Sequence, residues 1–325
     1  MKSVSIIIPN YNGQKLLEAY LPYVVKEKAF LKERCEVIIS DDNSSDNSIS
    51  FIKSHYPEIR IVEHNNNTGF SCNVNRGVNV AKNELLLILN TDVKLEENSI
   101  KYMVESFTDN KLFGVMGQIL NIQDDRMQDS AKFPKWKLMD LKGTINYITK
   151  EKVDLLPTFF LSGACCMIDR KKFIEIGSLS TLFSPYYGED FELSVRAQRM
   201  GWYCIFNKKV ICRHLGSATI SKEKRKKVLV ISMRNKYFFH LLHHFNVHFY
   251  LYVLYLLINI PVRLLIFDLT FFRALGKLVR GFKDLRVEKK ILREKIIQNS
   301  SKIESLFKLV KNFKEKTSHL TIKFF

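Results

Sequence analysis

Residues 85–89 read Leu-Leu-Leu-Ile-Leu and run straight into Asn90-Thr91-Asp92. Five consecutive apolar positions fit a strand covered on both faces, as in the middle of a parallel sheet. Ligands in open α/β sheets lie just beyond the carboxyl ends of the strands. The residues that stop this run therefore stand where chemistry is expected. A carboxylate there can hold a divalent cation, and a cation can neutralise a diphosphate. A turn that merely ends a core strand would use the same residue types, so the neighbouring strand ends carry the decision.

The preceding chain repeats the pattern. Val4 to Ile8 is a strand closed by Pro9, with Asn10-Tyr11-Asn12-Gly13 as the turn and a helix from Gln14 to about Lys28. Cys35 to Ser40 is a strand that runs into Asp41-Asp42-Asn43-Ser44-Ser45-Asp46. Ser44 or Ser45 can cap the helix of residues 49–54. Three neighbouring aspartates need a further partner, and the ring N–H and ribose hydroxyls of a nucleoside suit an acceptor-only carboxylate. Ile59 to Glu63 is a third strand. It is followed by the hydrogen-bonding loop from His64 through Asn67, Thr68 and Gly69 to Ser71, then a helix to Lys82 on which Asn75 can reach back toward the strand ends. This alternation predicts βαβ units, an α/β fold and a mostly parallel sheet. Neither a Gly-x-Gly-x-x-Gly nor a Walker A lysine loop is present. A nucleotide would be held by carboxylates and a metal instead.

Farther on, Lys94 to Phe107 suits a helix and Phe113 to Leu120 a strand, whereas residues 122–158 lose their period and read as an acceptor-side loop. Phe159 to Ile168 is apolar on both sides of Ser162-Gly163; a glycine there marks close approach by a ligand or backbone, or a packing bulge. Tyr186-Tyr187-Gly188-Glu189-Asp190-Phe191-Glu192 opens a helix that Gly201 stops, with Arg196 four residues after Glu192. Acids in a first turn suit the helix dipole whatever else they do. Val210 to Gly216 is a short strand ending in Arg213 and His214. Six cysteines with no Cys-x-x-Cys pair imply buried free thiols in a reducing compartment, and the N-terminal apolar run is too short for a signal peptide.

Charge divides the chain of 325 residues at about residue 220. Of the formal net charge of +18, residues 221–325 contribute 23 Lys and Arg against 7 Asp and Glu. Two parts follow: residues 1–220 as the catalytic domain and 221–325 as a basic, aromatic-rich helical region. Within the latter, 237–262 contains no Asp, Glu, Lys or Arg over 26 residues, a length that could cross a bilayer. Four histidines, two asparagines and Pro261 favour helices lying in the membrane interface, with Pro261 separating one helix from the next, Val262 to Leu278. Asp284 to Lys316 reads as one amphipathic helix that packs on the domain, a second subunit or the membrane. The aromatics are massed rather than interleaved with the basic residues, which argues against nucleic acid.

In order and spacing, Val4-Ser5-Ile6-Ile7-Ile8-Pro9-Asn10-Tyr11-Asn12-Gly13, the Asp41 to Asp46 cluster, Asn67-Thr68-Gly69-Phe70 and Leu89-Asn90-Thr91-Asp92-Val93 resemble the inverting glycosyltransferase family 2, over about residues 3–216. The nearest branch is the rhamnosyltransferase-like enzymes of bacterial O-antigen and capsule synthesis. The resemblance implies the GT-A fold and a nucleotide diphosphate sugar as donor, dTDP-rhamnose or a UDP-hexose. Asp190 would be the catalytic base with Glu189 beside it. Pro9, Asn10, Tyr11, Asn12, Asp41, Asn67, Gly69, Asn75, Asn90 and Thr91 would hold the donor nucleotide. Ser162, Gly163, Tyr187 and Arg196 would hold sugar and acceptor. Asp92 and His214 would bind a divalent cation, Mg or Mn, although Asn90 stands where many members carry a first aspartate. It further implies a growing glycan, or one linked to a polyprenyl diphosphate, as acceptor, and a peripheral position on the cytoplasmic face of the membrane, with a homo-oligomer through the C-terminal helices left open. A non-catalytic scaffold and a nucleotidyltransferase are the alternatives.

Overall fold

The computed structural model describes residues 1–216, 225–299 and 302–325. The boundary at 220 and residues 221–224 of the basic run lie outside them. Val4–Asn10 (β1), Cys35–Asp41 (β2), Arg60–Glu63 (β3) and Leu85–Leu89 (β4) form the parallel half of a sheet, in the order β4-β1-β2-β3. Gln14–Leu31 (α1), Ser48–His55 (α2) and Phe70–Val80 (α3) are the crossovers. Every residue of β4 is at most 2% exposed, as an uninterrupted apolar run requires. Each of these strands delivers its last residues to the same edge of the sheet.

Beyond β4 the sheet becomes mixed. Val93–Leu95 is a short strand (β5), so the helix expected from Lys94 begins only at Ser99 (α4, Ser99–Glu105). Leu112–Asn121 (β6) leads into a stretch expected to be irregular, which instead forms Met127–Asp129 (β7), Ala131–Lys137 (β8), Asp140–Thr149 (β9) and Leu155–Thr158 (β10). β7 pairs antiparallel with β6, and β10 is an edge of the main sheet. β8 and β9 make a separate small sheet, whose third strand, Ile322–Phe324 (β13), comes from the far end of the chain. Cys165–Asp169 (β11) lies antiparallel between β4 and β6, and Tyr203–His214 (β12) runs parallel to β6. Arg170–Glu175 (α5) and Glu189–Arg199 (α6) complete this part.

The tail is helical: Arg225–His243 (α7), Val247–Leu265 (α8), Leu269–Arg280 (α9), Phe282–Asn299 (α10) and Leu306–Thr317 (α11). Pro261 does not divide two helices; it lies inside α8. The break falls at Phe267, with φ 51°, after which the Asp268 side chain accepts from Phe271 N (3.0 Å) and caps α9. The single helix expected over 284–316 is two, the second capped by Ser305. The tail is packed against the sheet domain: Phe133, Phe159 and Leu193 share one apolar cluster with Phe239, Leu292 and Phe313. All six cysteines are free, and all but Cys72 are buried.

Candidate active site

The strand ends open onto a cavity of about 590 Å³. One wall is Pro9, Asn10 and Tyr11 at the end of β1; the floor is Asn90, Thr91 and Asp92 after β4. Asn67 and Gly69 bound it on one side, Ser162 and Gly163 on another, and His214, at the end of β12, sits near Asp92. Tyr187, Glu189 and Asp190 close it. Gly69 has φ +89°, and a Cβ there would come within 2.7 Å of the Pro185 backbone. No other residue could bring the 64–69 loop so close to the segment that carries the acids.

Four residues expected in the site lie elsewhere. Asp41 is 3% exposed and saturated, accepting from Asn10 Nδ2 (2.7 Å), Ser44 Oγ (2.6 Å) and Ser44 N (2.8 Å). Asn12 is spent on Ser44 and Ser45. The Asn75 amide binds both the N–H and the carbonyl of Leu179, outside the cavity. Arg196 is turned to the back of α6, where it pairs with Glu192 (2.7 Å) and donates to the carbonyls of Ile176 and Ser178. Conversely, Asp42, Phe70, Asn73, Pro185 and Tyr186 line the cavity. The run Asp41-Asp42 identified the strand end, but Asp42 is also buried and accepts from Thr68 N (2.9 Å), Thr68 Oγ1 (3.1 Å) and Gly69 N (2.8 Å), so it holds the 64–69 loop against the cavity.

The acids at the start of α6 owe their position to two left-handed residues in succession, Tyr187 (φ 75°) and Gly188 (φ 94°), which turn the chain sharply into the helix. Asp190 accepts from Gly163 N (3.0 Å) and Phe191 N (2.7 Å). A Cβ on Gly163 would sit 3.5 Å from Asp190, an ordinary contact, so the N–H of this residue matters more than its lack of a side chain. Burial pushes the Glu189 carboxyl up to about 8, helped by the charge of Asp190. Burial also raises Asp190, against the pull of its two backbone N–H donors. The helix dipole favours the ionised acids here, and desolvation outweighs it. Glu189 Oε2 is buried without a partner.

Across the cavity, His214 Nε2 lies 3.1 Å from Asp92 Oδ1. Gln128, on β7, fixes that ring: its Nε2 donates to His214 O (3.3 Å), which turns its Oε1 toward Nδ1 (3.0 Å). Nδ1 then carries the proton, and in the neutral ring the lone pair of Nε2 faces the carboxylate. A nitrogen and an oxygen donor set toward each other, with an amide holding the tautomer from behind, fit a divalent cation. Among the described residues no third His, Cys, Asp or Glu joins them. Such a cation would take its remaining ligands from substrate and water. Gln128 lies in the stretch that reads as irregular, and no signal in the sequence separates it from its polar neighbours.

This geometry has counterparts. The family model described as "Glycosyl transferase family 2" matches residues 5–177. Glycosyltransferase GlyG of Streptococcus pneumoniae is 26% identical over 124 residues, 37% of this chain and 40% of that protein. The undecaprenyl-phosphate 4-deoxy-4-formamido-L-arabinose transferase of Yersinia pestis is 29% identical over 136 residues, 40% of this chain and 41% of that protein. The matches thus span about two-fifths of the length of these curated relatives. Among solved structures, GalNAc-T7 with UDP, GalNAc and Mn²⁺ aligns with TM-score 0.57 at 17% identity, covering 74% of this chain and 51% of that one. The mannosyltransferase PcManGT of Pyrobaculum calidifontis, in complex with GDP-Man and Mn²⁺, aligns with TM-score 0.55 at 14% identity, covering 92% and 87%. At such identities these two report on fold, which is of the GT-A type with a mixed, largely parallel sheet. With its model matched over more than half of the residues, the chain belongs to glycosyl transferase family 2.

Proposed function

We propose that the protein transfers a sugar, with inversion, from a nucleotide diphosphate donor to a hydroxyl of a glycan or lipid-linked acceptor. The observation that carries this reading is the buried Glu189–Asp190 pair, held across one cavity from the Asp92–His214 pair. Asp190 takes the proton of the acceptor hydroxyl. A carboxylate whose proton affinity is raised is the better general base, and attack from its side displaces the nucleotide from the opposite face of the anomeric carbon. Glu189 sits beside it and orients the acceptor. Asp92 and His214 would hold Mg or Mn, which would neutralise the charge of the departing diphosphate. The nucleoside lies along Pro9, Asn10, Tyr11 and Asn67. There the buried Oδ1 of Asn73, which has no partner, accepts from a base N–H, while Asp41 acts by holding Asn10. Asn90 and Thr91 line the diphosphate path.

dTDP-rhamnose is the first donor to test and UDP-hexoses the next, given the resemblance to the rhamnosyltransferase-like branch. The relative from Yersinia pestis is named for an undecaprenyl-phosphate substrate, which supports a lipid-linked acceptor here. A peripheral seat on the cytoplasmic membrane face, through the exposed apolar side of α8, agrees with that acceptor. Calorimetry of UDP- and dTDP-sugars with and without Mn²⁺ or Mg²⁺ tests the donor site. One donor should bind only with metal, and Asp92→Ala should abolish binding. No binding of any nucleotide sugar under either metal would overturn the reading.

A further inference from the structure

Behind the base lies a charge pair, a buried lysine against a half-buried aspartate, that the reaction as described does not use. Lys132, on β8, is 3% exposed, and its ammonium donates to Asp129 Oδ1 and to Asn146 Oδ1, the latter at 2.8 Å. The other oxygen of Asp129, Oδ2, accepts from Ser162 Oγ at 2.7 Å. Ser162 lines the cavity and adjoins Gly163, whose N–H binds Asp190. Burying an ammonium is costly unless it is paired and hydrogen-bonded. An apolar residue at 132 would serve a purely structural role at less cost, and the site retains lysine.

We infer that Asp129 and Lys132 are positioning residues of the sugar-transfer site, which orient the Ser162 hydroxyl and balance the charge around Asp190. This rests on the function proposed above. Because the Ser162 proton is committed to Asp129, only its lone pairs face the cavity. Asp190, in the ionised form that acts as base, likewise presents only acceptor positions there. The wall formed by Ser162, Gly163 and Asp190 therefore selects a ligand group that donates, as a sugar hydroxyl does. Asp129 adds negative charge near Asp190, and Lys132 offsets it. The charged and titratable groups around Asp190 include Glu189 on its own helix, Asp129 on β7, Lys132 on β8 and the Cys166 thiol on β11, and Asp92, His214 and Lys227 of α7 line the same cavity.

The two partners predict opposite changes, which a packing role does not. In the full chain, carbon-13 NMR of the carboxyl groups, assigned with Asp190→Asn and Glu189→Gln, follows the titration of the pair without any substrate. Lys132→Met should move the Asp190 midpoint to higher pH, on the order of one pH unit, and Asp129→Asn should move it lower by a similar amount. Lys132→Arg should restore the wild-type midpoint. The acid limb of kcat should follow the same order. Midpoints that stay in place in folded variants, or move together in one direction, overturn the inference. Should Lys132→Met fail to fold, Asp129→Asn and Ser162→Ala decide. The first must lower the midpoint, while the second must leave it in place and raise the acceptor KM about tenfold, the cost of one lost hydrogen bond. A wild-type protein that transfers no sugar overturns the proposed function, whereas the NMR shifts judge the positioning role on their own.

Discussion

At the scale of single residues, the buried Glu189–Asp190 pair costs stability as pH rises. Both carboxyls have folded-state proton affinities above their ordinary values of 4.5 and 3.8, so folding takes up protons. Their contribution to stability is complete below about pH 4 and is lost as pH rises toward about 8, where Glu189 is forced to ionise in a buried place. Glu189→Gln keeps the shape and removes that charge. It should melt above wild type at pH 8 to 9, by on the order of a few kcal/mol at most, and converge with it at acid pH, while transfer activity falls. Thermal melts across pH check this, and an offset independent of pH would show that Glu189 is not the titrating group. These two acids were legible in the sequence because a helix start labels its own position. Asp41 and Arg196 were not, because their side chains are consumed by neighbours that only the folded chain supplies.

At the scale of elements, α6 joins the site to the tail. Its first turn carries the acids into the cavity, and its other face carries Glu192 and Arg199 against the C-terminal helices. Arg199 Nε donates to His243 Nδ1 (3.0 Å), which leaves the Nε2–H of His243 to donate to Glu192 (3.2 Å). Burial, together with Arg199, Arg196 and Lys289, holds His243 well below its ordinary value. His240 is lowered by burial and by His244, Lys236 and His243. His244 is pushed down to about 3 by burial and by His248, His243, Lys289 and Arg199, and neither of its ring nitrogens has a partner. Groups held neutral in the fold and charged when unfolded stabilise above pH 6.5, and that stability is lost as pH falls below it. His244 stacks near Trp136, Phe307 and Tyr252, so His244→Phe keeps the packing and removes the titration. At about pH 5 the variant should exceed wild type by about 2 kcal/mol, with little difference at pH 8. Urea melts at the two values read this directly, and equal differences at both would refute it. The four parallel strands were legible because buried strands are written as continuous apolar runs. β8 and β9 were not, since their apolar positions alternate with Lys132, Asp140 and Asn146, and their sheet is completed by β13 from the other end of the chain.

At the scale of the whole molecule, the basic tail is divided between two tasks, and the charge count shows only one. α7 is largely buried against the sheet domain, Phe238, Leu241 and Leu242 being at most 3% exposed. α8 is the opposite case. It is long and apolar enough to cross a membrane by length and composition, with mean hydropathy 1.5, and only 11% of its apolar window is buried. Tyr250, Leu254, Leu257 and Ile258 form a ridge exposed by 51–72%, continued by Leu265 and Phe267 at the turn into α9. On α9, Arg273, Lys277 and Arg280 recur at helical spacing on the exposed side, away from the buried Phe271, Ala274 and Leu278. An apolar ridge beside a basic helix face fits the headgroup region of an anionic bilayer, where lysine and arginine meet lipid phosphates and leucine side chains enter the acyl boundary. Tyr252 and Leu256, on the other side of α8, are buried in the fold, so one face is committed to the protein while the other is exposed. The full-length protein should float with phosphatidylglycerol vesicles and less with phosphatidylcholine. It should be partly released at about 1 M salt, where charges are screened beyond about 3 Å. Leu254→Asp with Ile258→Asp should abolish flotation while leaving the melting temperature near wild type, because both positions are exposed. A wild-type protein that ignores every vesicle but is dimeric by light scattering, and becomes monomeric in the double variant, would assign the ridge to a second copy of the chain instead.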